Sequence, residues 1–248
     1  MKLADHKPVI TALYFYKLFW QAMDWIYPPY CGGCGNLGDN WCQSCQKQAI
    51  LVPDLVCQIC GDVIPKPGLC KDCAAIRPFF NSARSWSFFD GPVRNILHSL
   101  KYKQNIGLGY VLAFHLAETK IPFLKEFDII IPVPLSRERF AERGYNQAAM
   151  LAFPLSLILQ KKYQPGGLKK VLETKTQVGL NIQERQVNIK NAFHSNPKIV
   201  KGKSILLIDD VMTTGATLNE CGRALLSSGA IEVNALTLAR TRFKDNIN

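Results

Sequence analysis

Two adjacent carboxylates are the residues of this chain most suited to do chemistry. Asp209 and Asp210 follow the apolar run 205–208, which is typical of a buried strand. A strand that ends in two carboxylates offers acceptors for sugar hydroxyls. The short loop that follows offers backbone N–H groups and hydroxyls to a phosphate, because it leads into a predicted helix. Its residues are Val211, Met212, Thr213, Thr214, Gly215, Ala216 and Thr217. Together these features predict a pocket for a sugar phosphate.

Eight of the nine cysteines form four C-x-x-C pairs. They are Cys31 and Cys34, Cys42 and Cys45, Cys57 and Cys60, and Cys70 and Cys73. Two such pairs complete the tetrahedral four-thiolate shell that zinc prefers. The first two pairs recur 26 and 28 residues later, as in a duplicated unit. We therefore predict two successive zinc ribbons, although pairing the first unit with the third and the second with the fourth also satisfies the spacing.

A disulfide framework is the alternative for these cysteines. It requires an oxidising compartment, and the sequence shows no recognisable export signal. Closed four-thiolate sites leave no position for a substrate, so the predicted zinc ions are structural and fold a segment too short to build its own core. Cys221 stands alone on the apolar face of a predicted helix, where a small core residue is expected.

Positive charge is concentrated in the second part of the chain. The net charge is +11 over 248 residues, of which residues 1–81 contribute +1 and residues 82–248 contribute +10. A basic balance of this kind suits polyanions, either phosphorylated metabolites or nucleic acid, and it also suits a plain solubilising surface.

The N-terminal segment is rich in aromatic and aliphatic residues between Val9 and Tyr27. Lys17, Gln21 and Asp24 interrupt it, so a membrane-spanning helix is not expected. Docking on the rest of the protein is the favoured interpretation, with a membrane-surface or partner-binding helix as the alternative. The predicted organisation is an apolar helix over 1–28, a cysteine-rich module over 29–76 and a larger domain over 77–248.

Strands and helices alternate through the predicted larger domain. The predicted strands cover 85–90, 128–133, 168–173, 205–208 and 231–238. One predicted helix starts at 92, and four others cover about 108–118, 146–162, 183–191 and 217–228. Pro154 should kink its helix or delay its start. Thr217 and Glu220 form a capping-box pattern, and Gly229 should end that helix. The alternation predicts an α/β domain with a mostly parallel sheet, whose ligands bind beyond the carboxyl ends of the strands.

The run from Ile205 to Thr217 closely resembles the phosphoribosyl-pyrophosphate (PRPP) motif of type I phosphoribosyltransferases. Over about residues 24–240, the chain resembles the ComF family of bacterial proteins. The resemblance is carried by the four C-x-x-C pairs, Leu100-Lys101-Tyr102, Ile131–Pro134, Arg143–Gln147, Thr176, Gln177, Leu180 and Arg185. It implies a type I phosphoribosyltransferase-like, mostly parallel sheet preceded by a small double zinc-ribbon module.

The resemblance also implies roles for particular residues. Asp209 and Asp210 would contact the ribose hydroxyls, the stretch 211–217 would bind the rest of PRPP around its 5′-phosphate, and Mg²⁺ would bridge pyrophosphate and ribose oxygens. Arginines that follow the 129–133 strand would form a pyrophosphate loop, and a mobile loop would cover the reaction. The arginines are Arg137, Arg139 and Arg143, and the mobile loop contains Lys175, Thr176 and Gln177.

Two functions of different classes remain open at this stage. One is Mg²⁺-dependent phosphoribosyl transfer to an acceptor that the motifs do not define. The other is a factor that handles single-stranded DNA and uses the PRPP pocket for binding or sensing, because resemblance to ComF implies a cytosolic role in natural transformation beside other competence proteins. Lys101, Tyr102, Lys103, Arg137, Arg139, Phe140, Arg143 and Tyr145 would supply a basic, stacking surface. A pure interaction module with a relic pocket is a third and weaker alternative.

Overall fold

The central sheet has five parallel strands. The computed structural model describes residues 7–26, 28–102, 107–119, 126–172 and 191–242. The strands run in the order β1-β7-β6-β2-β3. They are β1 (Ser82–Phe88), β2 (Ile129–Pro132), β3 (Lys162–Tyr163), β6 (Ser204–Met212) and β7 (Glu232–Arg240); β4 (Leu168–Lys170) and β5 (Phe193–Ser195) form a separate antiparallel pair. The predicted mostly parallel α/β sheet is confirmed.

Nine helices are found in the part of the chain that the structure describes. They are α1 (Lys7–Ile26), α2 (Gln43–Lys47), α3 (Lys71–Ala75), α4 (Gly91–Tyr102), α5 (Gly107–Glu118), α6 (Arg137–Arg143), α7 (Gln147–Ile158), α8 (Pro197–Val200) and α9 (Ala216–Ser227). The helix predicted over 183–191 lies almost wholly outside the described residues. The strand predicted over 168–173 is β4, and it belongs to the small antiparallel pair.

The strands bury both of their faces. In β6, Ile205 and Leu207 contribute to one apolar core and Leu206 and Ile208 to the other, because side chains alternate across a strand. The first core also contains Cys57 and Cys73, and the opposite core contains Cys31 and Cys45 together with the buried Trp41. The two halves of the duplicated cysteine region therefore pack on opposite faces of the sheet.

Pro154 lies inside α7, so a later helix start, one of the two alternatives predicted for this proline, is wrong. A proline has no N–H, so the carbonyl of Met150 one turn earlier loses its helical donor. That carbonyl faces Gly109 of α5, where a Cβ would lie 2.5 Å from the oxygen. The missing hydrogen bond thus falls where α5 and α7 approach most closely.

Helix α9 differs from the prediction at its N-terminal end and agrees with it at its C-terminal end. The capping box is wrong, because the N-cap residue is Gly215, with φ +77°, and Glu220 is turned into the protein. Glu220 accepts the Asn191 N–H at 2.6 Å and pairs with Arg223. Gly229 ends the helix as predicted, with φ +90°. The N–H groups of Gly229 and Ala230 donate to Leu226 and Leu225, as in a Schellman motif.

Helix α1 packs one side against α7 and leaves much of its aromatic surface in solvent. Tyr16 contacts the rings of Tyr110 and Phe153, at centroid distances of 5.7 Å each. Phe15 and Trp25 are exposed. Among the described residues, none of the helices is both long and apolar enough to cross a bilayer.

Candidate functional site

The eight paired cysteines form two compact groups. Within each group the four sulfur atoms lie within 4.8 Å of one another. One group contains the first four of the paired cysteines along the chain, and the other contains the last four. The groups are Cys31, Cys34, Cys42 and Cys45, here called the first ribbon, and Cys57, Cys60, Cys70 and Cys73, the second ribbon. The successive arrangement is confirmed over the interleaved one.

Both groups have the size of a tetrahedral zinc shell. Sulfurs about 2.3 Å from zinc lie about 3.8 Å apart. The Sγ–Sγ distance is 3.7 Å between Cys34 and Cys42 and 3.6 Å between Cys60 and Cys70. The donor set and its dimensions therefore fit zinc.

The two ribbons repeat one another in detail. The Cys42 N–H donates to the Cys31 sulfur at 3.4 Å, and the Cys70 N–H donates to the Cys57 sulfur at 3.3 Å. Burial opposes ionisation of both thiols. Hydrogen bonds from backbone N–H groups to the sulfur atoms outweigh the effect of burial, and they lower the pKa of Cys31 to about 6 and that of Cys57 to about 7. Each ribbon thus has one thiol that is predisposed to the thiolate form that a metal ion requires.

A cavity of about 730 Å³ opens at the carboxyl ends of β2, β6 and β7. Its walls come from the end of α4, the β2–α6 connection, α6 itself, the β4–β5 pair and the β6–α9 loop. The charged or polar lining residues outside the loop are Lys101, Ser136, Glu138, Arg139, Glu142, Arg143, Asn146, Gln147, Lys170, Asp209, Asp210 and Thr241. The site lies where parallel α/β sheets bind ligands.

Strand β6 runs through the two carboxylates instead of ending before them. It continues to Met212, because Val211 and Met212 still pair with Ala239 and Arg240 of β7. The predicted end at position 208 is therefore wrong. Asp209 and Asp210 nevertheless both line the cavity, and the Asp210 N–H donates to Asp209 Oδ1 at 2.9 Å.

Lys101 forms an ion pair with the second carboxylate. Its Nζ lies 2.7 Å from Asp210 Oδ2, and the two side chains are 24% and 16% exposed. Burial, followed by the charge of Asp210, raises the pKa of Asp209 to about 8. The free pocket at neutral pH therefore holds one neutral carboxyl and one carboxylate paired with a lysine.

The stretch from Val211 to Thr217 lines the cavity as a continuous wall. Gly215 adopts a left-handed backbone, and a Cβ there would lie 2.8 Å from Met212 Cε. Glycine is therefore favoured by the backbone conformation, and any larger residue would also have to displace the end of the Met212 side chain. The Ala216 N–H donates to Thr214 Oγ1 at 3.4 Å. The other N–H groups at the start of an α-helix have no acceptor within the helix, so they can bind an anion.

The predicted pyrophosphate arginines lie on α6, which follows β2 directly. Arg139 and Arg143 line the cavity, whereas Arg137 is exposed and is not among the lining residues. Arg143 donates to Gln147 Oε1 at 2.9 Å, and its guanidinium lies 5.3 Å from the centre of the Tyr102 ring. The Arg143 Nε and the Gln147 Nε2 are buried without a partner among the described residues.

Some lining residues had not been assigned to the sugar-phosphate site from the sequence. The sequence places Lys101 only in the family motif and the predicted basic surface, and it gives no signal for Lys170. The signal for Lys101 was its place at the end of the amphipathic helix α4, directly after the buried Leu100. Lys175, Thr176 and Gln177 lie outside the described residues.

The sequence matches models of two domain families. Residues 123–245 match the phosphoribosyl transferase domain, and residues 22–74 match the double zinc ribbon domain. Together with the sheet topology, these matches define the chain as a protein with a type I phosphoribosyltransferase fold and an N-terminal double zinc ribbon.

The chain belongs to the ComF family. It is 32% identical over 220 residues to competence protein F of Haemophilus influenzae, covering 85% of this chain and 95% of that protein. It is 31% identical to the DNA utilization protein YhgH of Salmonella typhimurium, over 75% of this chain and 84% of that protein.

A more distant likeness links the chain to a glutamine PRPP amidotransferase of Bacillus subtilis, whose structure contains ADP and GMP. The identity is 20%, the TM-score is 0.36, and the match covers 56% of this chain and 26% of that one. This chain therefore spans about a quarter of that enzyme, and the likeness carries no argument about function.

Proposed function

We propose that this protein binds PRPP with Mg²⁺ in the β6–α9 cavity and transfers the phosphoribosyl group to an acceptor. The observation that carries the proposal is the placement of Asp209 and Asp210 beside the 213–217 loop in one open cavity. The carboxyl groups suit ribose hydroxyls, and the loop N–H groups suit the 5′-phosphate. Arg139 and Arg143 lie across the cavity, on the β2 side, where their charge would offset that of the pyrophosphate.

The proposed reaction breaks the bond between ribose C1′ and the pyrophosphate oxygen, and a nucleophile on the acceptor forms the new bond to C1′. Positive charge develops on the ribose as pyrophosphate leaves. Asp210, paired with Lys101, would stabilise that charge, while Asp209, neutral in the free pocket, can donate a hydrogen bond or ionise when the ligand binds. Mg²⁺ would supply charge neutralisation to the pyrophosphate, and the carboxyl oxygens fit its preference for hard ligands.

The test is calorimetric titration with PRPP in the presence and absence of Mg²⁺. The wild type is compared with the double variant Asp209→Asn/Asp210→Asn, followed by a screen of nitrogenous bases for pyrophosphate release. Each hydrogen bond to a charged group contributes about 1.5–3 kcal/mol, so the variant should lose at least about tenfold in affinity. Asp54→Asn is the control, because Asp54 is an exposed carboxylate that precedes the second ribbon and lies outside the cavity lining. An absence of PRPP binding by the wild type would overturn the proposal.

A second function is favoured by the rim of the cavity. Tyr102 is 55% exposed and lies under the Arg143 guanidinium, and Phe140, which is 52% exposed, follows Arg139 on α6. Exposed aromatic rings among basic side chains are suited to stacking bases along a phosphate backbone. The relatives named for competence and DNA utilization agree with this alternative. It predicts single-strand affinity that falls steeply with salt and survives the Asp209→Asn/Asp210→Asn change.

A further inference from the structure

Helix α4 is bonded to the first ribbon along one side. Asn95 Nδ2 donates to the Gly33 carbonyl at 2.9 Å, and Ser99 Oγ donates to the Gly32 carbonyl at 3.1 Å. Gly32 and Gly33 are the two residues between Cys31 and Cys34, here called the first knuckle. Asn95 and Ser99 are four residues apart and so share one face of the helix. The metal-binding turn and α4 are therefore joined by two hydrogen bonds.

The first knuckle also packs so closely against α4 that neither of its glycines could carry a side chain. A Cβ at Gly32 would lie 2.8 Å from Ile96 Cγ1, and one at Gly33 would lie 2.7 Å from the sulfur of Cys45 and 3.2 Å from Pro92 Cβ. Such distances leave no space for a side chain. A shift of the knuckle would consequently push on α4.

The far end of the same helix lies in the cavity. Lys101 is two residues beyond Ser99 and pairs with Asp210 at 2.7 Å. The Leu100 carbonyl between them accepts the Tyr145 hydroxyl at 2.6 Å, and Tyr102 lies under the guanidinium of Arg143. The last turn of α4 thus touches two parts of the pocket, the carboxylates of β6 and the connection after α6.

The second ribbon has the same kind of bond but a different neighbour. Ser82 Oγ donates to the Gln58 carbonyl at 3.1 Å, and Gln58 occupies the place of Gly32 in the duplicated unit. Ser82 begins β1, at the end of the sheet opposite the cavity. The structure therefore supplies a matched pair of serine bonds, of which only one leads to Lys101.

We propose that the first ribbon positions Lys101 in the pocket through α4, so that metal binding at the first ribbon and polyanion binding in the cavity are coupled. This inference deepens the proposed function and, for its ligand, rests on it. Lys101 offsets the negative charge of Asp210, which would otherwise repel a pyrophosphate. A first ribbon without metal loses the knuckle geometry, and with it the placement of Lys101. Coupling between two sites is reciprocal, so it can be measured from either end.

The first measurement is PRPP affinity in four variants. Asn95→Ala/Ser99→Ala and Lys101→Met should each weaken binding by about fivefold or more, the lower range of typical coupling between sites. Asn95→Ala/Ser99→Ala should have no further effect when added to Lys101→Met, because both act through the same side chain. The control Ser82→Ala should stay within about twofold. Tighter binding by Lys101→Met, or unchanged binding by Asn95→Ala/Ser99→Ala, overturns the coupling.

The second measurement needs no ligand. Zinc release to a chromogenic chelator is followed in the same variants, each first shown by metal analysis to carry the wild-type amount of zinc and by circular dichroism to be folded. Asn95→Ala/Ser99→Ala and Lys101→Met should accelerate release of half of the zinc, and Ser82→Ala should affect only the other half. Equal release by the wild type and both α4 variants contradicts the inference.

The two measurements separate the two proposals. If the wild type does not bind PRPP but Lys101→Met accelerates release of half of the zinc, the proposed function fails and the coupling stands. If PRPP binds and also slows release of half of the zinc in the wild type but not in Lys101→Met, both stand.

Discussion

Arg240 and Asp62 form an ion pair that fastens the second ribbon to the end of strand β7. The distance between Arg240 Nη2 and Asp62 Oδ1 is 2.9 Å, and Arg240 also donates to the Cys60 carbonyl at 3.1 Å. The two side chains are unequally buried, with 1% of Arg240 and 30% of Asp62 exposed. The next residue, Thr241, donates its N–H to Met212 at the end of β6 and lines the cavity.

Loss of Asp62 should destabilise the protein more than loss of Arg240. Asp62→Ala leaves a buried guanidinium without its counter-ion, which costs about 3 kcal/mol or more, whereas Arg240→Met leaves a carboxylate that water can reach. The measurement is the free energy of unfolding in urea at neutral pH. Equal losses in the two variants would show that burial of the guanidinium does not set the cost.

The stability gained by Asp209→Asn should grow with pH. Below about pH 4 the carboxyl is protonated in both the folded and the unfolded chain, so it has no effect on the pH dependence of stability. Between about pH 4 and 8 the unfolded chain releases this proton while the folded chain keeps it, since burial and Asp210 raise the folded pKa from 3.8 to about 8. The wild type therefore loses stability over this window, and the asparagine variant avoids that loss.

Urea unfolding of the wild type and Asp209→Asn at pH 5 and pH 8 tests this expectation. The difference in free energy of unfolding should be larger at pH 8, and Asp54→Asn should show no such change. A difference that stays the same from pH 5 to pH 8 would mean that the Asp209 carboxyl is already ionised in the folded pocket at pH 5.

Gly215→Ala should damage the PRPP site, whereas Gly144→Ala should not. Both glycines have φ +77°, so each substitution carries a left-handed strain of about 1 kcal/mol or more. Only at position 215 does the new Cβ meet a neighbour, Met212 Cε at 2.8 Å, while position 144 has open space. Thermal unfolding should show losses in both variants, and titration with PRPP should show a loss in Gly215→Ala alone. Unchanged PRPP affinity in Gly215→Ala would place the phosphate elsewhere.

Arg143→Ala should weaken PRPP binding more than Arg137→Ala. Arg143 lines the cavity and has a buried Nε without a partner among the described residues, whereas Arg137 is exposed outside the lining. One lost hydrogen bond to a charged group corresponds to about tenfold or more in affinity. Calorimetric titration with PRPP and Mg²⁺ compares the two variants directly. A larger loss of PRPP affinity in Arg137→Ala would support the role in binding pyrophosphate that the sequence predicts for Arg137.

Purified protein should contain two zinc ions per chain. Cys45→Ser should retain one, because it removes a ligand from the first ribbon alone, and Cys221→Ser should retain two, because Cys221 is buried in the core and belongs to neither group. Metal analysis by mass spectrometry gives the counts. Two zinc ions in Cys45→Ser would exclude a four-thiolate first site.

Features that depend on short spacing could be predicted from the sequence alone. The two four-thiolate groups, the alternation of strands and helices, and the placement of Asp209 and Asp210 before a glycine-containing loop were all predicted from residues close together in the chain. Such features follow from local geometry, because a C-x-x-C turn or a strand followed by a loop needs no distant partner to define it.

Contacts between residues that are distant in the chain became known from the folded structure. Strand β6 continues past the carboxylates to Met212, because β7 supplies pairing partners there. Glu220, predicted as a helix cap, instead bonds to Asn191 and Arg223. The two ribbons, which share the same cysteine pattern, also lie on opposite faces of the sheet, and only the first lies against α4. The pairs of Lys101 with Asp210 and of Arg240 with Asp62 join residues more than a hundred positions apart. No periodicity in the sequence marks such pairs, because the packing of the whole sheet sets them.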